Sequence, residues 1–288
     1  MKIDTHHGWF KGLGDLVCFA WIGETLRAHG IGAEFYAEGW RAELLRAFGQ
    51  RVTGEPGGYR PECGYETAVI TKSRLHYLAW IAFQCGFPAY GIDLPGDRDF
   101  VFERPRLDLP PLERELGRAA SAQVLVFPQG HWTPRVWPRN YYVELCHRLK
   151  RHGCNVAVVL TEPDAAFSQF RTIAGQSLLF VAAMMQRAEL VIGNDSGPAH
   201  LAGTLGRPVL AIHGPTTERI FAHLPEVTCL RKRALDCAGC HCLEPFRASC
   251  ELGCHELYRT FPETVAEQAL RLLGSETRNQ KLETGKAA

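Results

Sequence analysis

Apolar residues recur at helical spacing over residues 16–29, and Gly30-Ile31-Gly32-Ala33-Glu34-Phe35-Tyr36 then turns into a short strand pattern. Residues 40–48 read as a second helix, Thr67-Ala68-Val69-Ile70-Thr71 as a β-branched strand, and residues 75–85 as a further helix. Prolines and charges then gather without periodicity over residues 87–111, which marks a linker. Beyond it, Gln123-Val124-Leu125-Val126-Phe127 has the unbroken apolar run of a buried strand. A helix at 141–151, a strand at 155–160, a helix at 178–187, a strand at 190–193, a helix at 198–205 and a strand at 208–213 continue the alternation. Strands that alternate with helices predict an α/β fold with parallel sheets.

This pattern divides the chain into a reduced N-terminal α/β unit, residues 1–104, and a second α/β unit, residues 105–273, that contains a cysteine-rich segment at 237–254. Residues 274–288 are polar and aperiodic, the pattern of a disordered tail. With 288 residues, 46% hydrophobic and 22% charged, the chain can build two modest cores. A net charge of +1, from 32 basic against 31 acidic residues, supplies no field for nucleic acid. No apolar run reaches the roughly 18 residues of a membrane span, and Met1-Lys2-Ile3-Asp4-Thr5 has no apolar signal core, so a cytoplasmic protein is expected. Eleven cysteines, an odd count, then favour metal ligation and burial over a disulfide scaffold.

Candidate chemistry concentrates where strands end. Asn194-Asp195-Ser196-Gly197-Pro198-Ala199-His200 joins a buried strand to a helix, the edge at which open α/β sheets bind ligands. Gly197 permits close approach of the backbone, Pro198 suits the first helical turn, and the amides there face an anion. Asp195 either accepts from a ribose hydroxyl or caps the helix. The next strand ends in His213-Gly214-Pro215-Thr216-Thr217, which brings further donors alongside. Lys11-Gly12-Leu13-Gly14-Asp15 lacks the third glycine of a dinucleotide fingerprint, and Asp15 also fits a cap for the following helix.

Cys237-Ala238-Gly239-Cys240-His241-Cys242 and Cys250-Glu251-Leu252-Gly253-Cys254-His255 have the bites of a tetrahedral metal site formed by Cys237, Cys240, Cys250 and Cys254. Zinc is the default ion, iron shares the geometry, and Cys242 or a histidine could replace one ligand.

Residues 188–217 resemble the signature of the lipopolysaccharide heptosyltransferases, glycosyltransferase family nine: Asp-Ser/Thr-Gly, a nearby His, and Gly-x-Pro before a Gly-Pro-Thr turn. Residues 128–138, Thr161-Glu162 and residues 11–15 fit the same family in order. The resemblance implies a GT-B architecture, two Rossmann-like domains with parallel sheets facing a cleft. It also implies inverting transfer of heptose from ADP-heptose to an acceptor hydroxyl.

Within that likeness, Thr133 and Arg135 face the diphosphate, although a surface arginine stacked on Trp137 is the other reading of Arg135. Glu162 takes the nucleoside, Asp195, Ser196, Gly197, Pro198, His200 and Thr216 complete the donor site, and Asp15 is the general base. Arg135, Thr216 and the helix amides then take the place of a catalytic metal. The cysteine cluster is similar to the iron finger of bacterial autotransporter heptosyltransferases, which modify protein serines. The first domain here is shorter than theirs, so the acceptor stays open between a protein serine and a lipopolysaccharide core sugar. Oligomerisation and peripheral membrane contact are compatible with this reading. A non-catalytic sugar-nucleotide binder, or a metal or redox module on a transferase scaffold, is the alternative.

Overall fold

The structure, a computed structural model, describes residues 1–6, 12–57, 82, 102–216, 218–231 and 254–284. The strand expected at 67–71 and, apart from helical residue 82, the helix expected at 75–85 lie outside the described residues. Cys237, Cys240 and Cys250 lie outside them as well.

Among the described residues the N-terminal unit holds a parallel three-stranded sheet in the order β1 (Lys2–Asp4), β2 (Glu34–Tyr36), β3 (Arg51–Thr53), connected by α1 (Leu13–Ala28) and α2 (Gly39–Ala47). Every residue of α1 from Leu16 to Leu26 except Glu24 is buried, because this helix is covered on more than one side. One cover is its own sheet, where Phe19 packs on Phe35. The other is the second unit.

The second unit runs α3 (Pro111–Ala120), β4 (Val124–Phe127), α4 (Arg139–Arg151), β5 (Val156–Leu160), β6 (Arg171–Ala174), α5 (Leu178–Met185), β7 (Leu190–Asn194), α6 (Gly197–Thr204), β8 (Val209–Ile212) and β9 (Val227–Leu230). A short helix α7 (His255–Arg259) and the long α8 (Pro262–Thr284) follow. Among the described residues its six strands are all parallel, in the order β6-β5-β4-β7-β8-β9. Sequence order runs outward in one direction from β4 and in the other from β7, so the sheet has a topological switch point between these two strands.

Alternate side chains of the central strands feed two cores. Leu125, Phe127, Val191 and Ala211 face a cluster with α5, α6 and the N-terminal unit, whereas Val124, Val126, Ile192 and Leu210 face α4, α7 and α8. Burial on both faces explains why these strands are continuous apolar runs rather than alternating ones. Four elements of this unit depart from expectation. Pro111 starts a helix instead of closing a linker, β6 and β9 add an edge strand on each side, and α8 carries helical backbone to Thr284 where an irregular tail was expected from Gly274. The 274–284 stretch consists largely of good helix formers continuing a helix whose Val265, Ala266, Ala269 and Leu273 are already docked.

The two units meet where α1 seats on α6. A Cβ on Gly197 would stand 2.4 Å from Cβ of Leu13, and one on Gly14 would stand 2.8 Å from Cδ2 of His200, so the absence of side chains lets the helices approach. Farther along α1, the Trp21 indole Nε1 donates to the Thr204 hydroxyl at 2.8 Å inside the core. Arg104, stacked on Trp21, pairs with Glu226 across the same junction. Replacing Thr204 with isosteric Val should leave the indole N–H buried without an acceptor, which costs about 1–3 kcal/mol. The urea midpoint of Thr204→Val should fall accordingly with an unchanged m-value; an unchanged midpoint would show that this hydrogen bond contributes nothing to the junction.

Candidate active site at the strand ends

The residues singled out in the sequence fall at the carboxyl ends of four neighbouring strands. In spatial order these are Glu162 after β5, Thr133 and Arg135 after β4, Asp195 after β7 and Thr216 after β8. The switch point lies between the Arg135 and Asp195 positions, where helices leave the sheet in opposite directions and open a crevice.

Arg135 and Asp195 form the centre. Asp195 is 1% exposed, and its carboxylate lies 3.7 Å from Nη1 of Arg135, which closes a short 3₁₀ turn (Thr133–Arg135). The arginine stacks on Trp132 at 5.0 Å, not on Trp137 as its alternative reading had it. Trp137 is instead fully buried against Tyr142 and donates its indole N–H to Thr260. Burial pushes the Asp195 carboxyl up, but Arg135, His213, the Thr216 hydroxyl and His200 together hold it below the ordinary carboxylate value. Among the described residues neither carboxylate oxygen has a well-formed hydrogen bond. Asp195 does not cap α6: Ser196 occupies the N-cap position, and its hydroxyl turns back to the Asn194 carbonyl at 3.2 Å.

His200 is 4% exposed and packs on Phe221, with ring centroids 4.4 Å apart. Burial lowers its pKa to about 4, so the imidazole is neutral at neutral pH. His213, fully buried at the end of β8, is likewise lowered by burial, against the attraction of Asp195. Ser196, Gly197 and Pro198 are half-buried in the first turn of α6, whereas Thr133 and Glu162 are exposed at the rim.

Two positioning residues were not legible as such in the sequence. Asn194, 1% exposed, accepts from the Trp137 amide at 2.8 Å and the Tyr142 hydroxyl at 2.9 Å, and so ties the segment that carries Thr133 and Arg135 to the end of β7. Gln129 accepts from the Thr161 amide at 2.6 Å and donates to the Glu162 carbonyl at 3.0 Å, which fixes the β5 loop beside β4. Their signal, polar residues immediately after apolar strands, is common to many loops.

Asp15 stands in the first turn of α1, and its Oδ2 accepts from the Gly12 amide at 3.0 Å, so the carboxylate does act as a cap partner. The close approach of Gly14 to His200 brings this turn to the first turn of α6. Of the four expected metal thiolates only Cys254 is among the described residues; it is buried, with its sulfur next to Gly214 in the turn before Thr216.

A parallel α/β sheet with a switch-point crevice, set against a second small parallel unit, is the fold of the GT-B heptosyltransferases. Residues 102–244 match the sequence model of glycosyltransferase family 9 (heptosyltransferase). Lipopolysaccharide heptosyltransferase 2 of Salmonella typhimurium is 30% identical over 95 residues, and the match covers 28% of this chain and 27% of that relative. The aligned stretch thus spans about a quarter of the curated relative's length. Among solved structures, E. coli ADP-heptose lipopolysaccharide heptosyltransferase II superposes with a TM-score of 0.64 at 16% identity, covering 96% of this chain and 99% of that one. The iron-containing dodecameric glycosyltransferase TibC from enterotoxigenic E. coli superposes with a TM-score of 0.72 at 17% identity, covering 96% of this chain and 79% of that one. At these identities the likeness to the solved structures concerns the fold.

Removing the cation from the centre should expose what it offsets. Arg135→Met should destabilise the protein at neutral pH by about 1–3 kcal/mol, less than for a fully buried pair because the guanidinium is one-third exposed. Asp195 in the parent has a depressed pKa, so its contribution is present above the unfolded value of 3.8 and is lost as pH falls through the folded one. In the variant the carboxyl titrates higher, so the stability gap between parent and variant should close as the pH is lowered through that range. Urea midpoints taken at neutral and acidic pH check this; a gap independent of pH would mean that Arg135 does not act on Asp195.

Proposed function

We propose that this chain is an inverting glycosyltransferase that moves heptose from ADP-heptose to an acceptor hydroxyl. The observation that carries the reading is the Asp195 carboxylate, ionised and buried at the switch point beside Arg135, with hydrogen-bonding capacity left for a ligand hydroxyl. A carboxylate next to a guanidinium suits a ligand that carries hydroxyls and phosphates together, which describes a sugar nucleotide. Complexes of TibC with ADP-D-β-D-heptose support the choice of donor.

In this reading residues 105–273 hold the donor and residues 1–104 face the acceptor. Thr133, Arg135, Thr216 and the amides of Ser196, Gly197 and the α6 N-terminus receive the diphosphate, while Pro198 sets the turn and His200 backs Asp195. Glu162, at the rim after β5, takes the nucleoside. As the acceptor oxygen attacks the anomeric carbon, Asp15 accepts its proton, the bond to the diphosphate breaks, and ADP leaves with its charge offset by Arg135. No catalytic metal is needed for that offset. Cys237, Cys240, Cys250 and Cys254 hold a structural zinc or iron ion, in keeping with the iron named for TibC, and the acceptor is a protein serine or a lipopolysaccharide core sugar. We place the protein in the cytoplasm; among the described residues no helix is long and apolar enough to cross a membrane.

The second reading, a sugar-nucleotide binder without transfer, is favoured by one observation: the carboxylate assigned as base already serves the Gly12 amide. Two measurements separate them. ADP-heptose at about 100 times its Kd should stabilise the fold by about 2.7 kcal/mol, and Asp195→Ala should abolish that shift; a full shift in the variant overturns the donor site. Asp15→Asn should keep the shift but slow transfer about 10²–10⁴-fold. Transfer at the parent's rate would remove Asp15 as base, and donor binding without transfer in the parent, with both candidate acceptors supplied, would establish the binder.

A further inference from the structure

Among the described residues three metal-ligating side chains meet at the seat of α1 on α6, none of them from the cysteine-rich stretch of sequence. Cys18 of α1, His200 of α6 and His223, just after the 3₁₀ turn Glu218–Phe221, each offer one ligand atom within 4.8 Å of the other two. Cys18 and His200 are buried and His223 is half-buried. Their approach is a property of the fold. Gly14 and Cys18 are separated by one helical turn and share a face of α1. A Cβ on Gly14 would lie 3.3 Å from Nε2 of His200, so the Nε2 edge of the imidazole is turned toward that face. The His223 ring lies nearly parallel to that of His200, with centroids 6.2 Å apart, and stands edge-on to Trp21, one turn beyond Cys18.

A tetrahedral ion with bonds of about 2.3 Å to sulfur and 2.0–2.1 Å to nitrogen sets its ligand atoms roughly 3.3–3.8 Å apart. The cluster reaches that spacing by a contraction of about 1.5 Å or less, within the range of rotamer adjustment. One sulfur and two imidazole nitrogens are ligands for zinc-class ions, not for calcium or magnesium. We propose that Cys18, His200 and His223 bind one zinc-class divalent ion, which clamps α1 to α6 beside Asp15, with water in the fourth position.

Burial acts in opposite senses on the two groups, favouring the metal-binding form of the imidazole and opposing that of the thiol. Burial keeps His200 neutral, which leaves a nitrogen lone pair for the ion. Burial also raises the Cys18 thiol, and nearby Asp15 adds to the effect, so Cys18 enters as a thiol and releases one proton as the sulfur–metal bond forms. The role is that of a fastener. Asp15 and Cys18 lie one turn apart on α1, so an ion tying Cys18 to His200 and His223 fixes the α1 N-terminus against the donor-side turn. Metal binding here does not rest on the transferase reading and is measured without activity.

The full-length protein, stripped with chelator and reloaded with zinc, should bind one equivalent more than either Cys18→Ala or His223→Ala, and the parent should release a proton from Cys18 that Cys18→Ala does not. Loaded with cadmium-113, the parent should show a resonance in the mixed sulfur–nitrogen region, distinct from a four-thiolate signal and absent from both variants. A Cys240→Ser variant should keep the mixed resonance, which separates this site from the cysteine-rich segment. Equal metal content in parent, Cys18→Ala and His223→Ala would overturn the proposal. Should a variant fail to fold, the parent's cadmium spectrum decides: without a mixed sulfur–nitrogen resonance the site does not exist.

Discussion

The Asp195 carboxylate is the constraint on which the organisation of the site depends. An ionised carboxylate at 1% exposure would be costly by several kcal/mol if left unpaired, and no backbone amide compensates it by capping α6. Its compensation must therefore come from side chains on neighbouring strand ends. Arg135 approaches from the β4 side, and His213 and Thr216 approach from β8. For Arg135 to arrive there, the loop after β4 has to be held, and Asn194 holds it through the Trp137 amide and the Tyr142 hydroxyl. One buried charge thus fixes the relation of three strands and their loops.

The helix that follows this carboxylate also seats the N-terminal unit. The helix that follows Asp195 begins with Gly197, whose bare Cα admits Leu13, while His200 one turn on fills the space over Gly14. The first turn of α1, which carries Asp15, is thereby placed against the first turn of α6. Trp21 and Thr204 close the far end of this contact. Cores on the two sides of the seat merge into one cluster that includes Phe19, Leu26, Ala199 and Leu201. Such shared burial makes the orientation of α1 part of the folding energy rather than a separate docking step.

Much of this was legible in the sequence wherever burial on both faces leaves an uninterrupted apolar run. Val124-Leu125-Val126-Phe127 and Val156-Ala157-Val158-Val159-Leu160 are such runs, and they fold as β4 and β5 in the interior of the sheet. The missed strands β6 and β9 are the two edges, and their residues are exposed or half-buried, so they carry no such run. Helix α3 escaped notice because its Leu112 and Leu116 are exposed, while the residue it buries is Gly117, packed against Ala183. For the candidate site, what was legible was the position of Asp-Ser-Gly-Pro at a strand end, the edge at which open α/β sheets bind ligands. What they touch was not. Arg135 has Trp132 and Trp137 on either side at nearly equal distance along the chain, and only the 3₁₀ turn decides that it stacks on the first.

That distinction shows where the chemistry originates in this fold. Parallel pairing of β4 with β7 sets Phe127 opposite Gly193, so the residues that follow each strand emerge at one level even though they lie some sixty positions apart in the chain. Apolar strand interiors supply the rigidity that lets a single ion pair be positioned to within a hydrogen-bond length, and the polar residues just past them inherit that precision. A buried carboxylate that is ionised, paired among the described residues with one partly exposed cation and still able to accept hydrogen bonds is an expensive arrangement for folding alone. Binding a hydroxyl-rich anion at that point would satisfy the carboxylate with hydroxyl donors and the arginine with phosphate oxygens at once. The stability given up at that carboxylate would then be the preorganisation that recognises such a ligand.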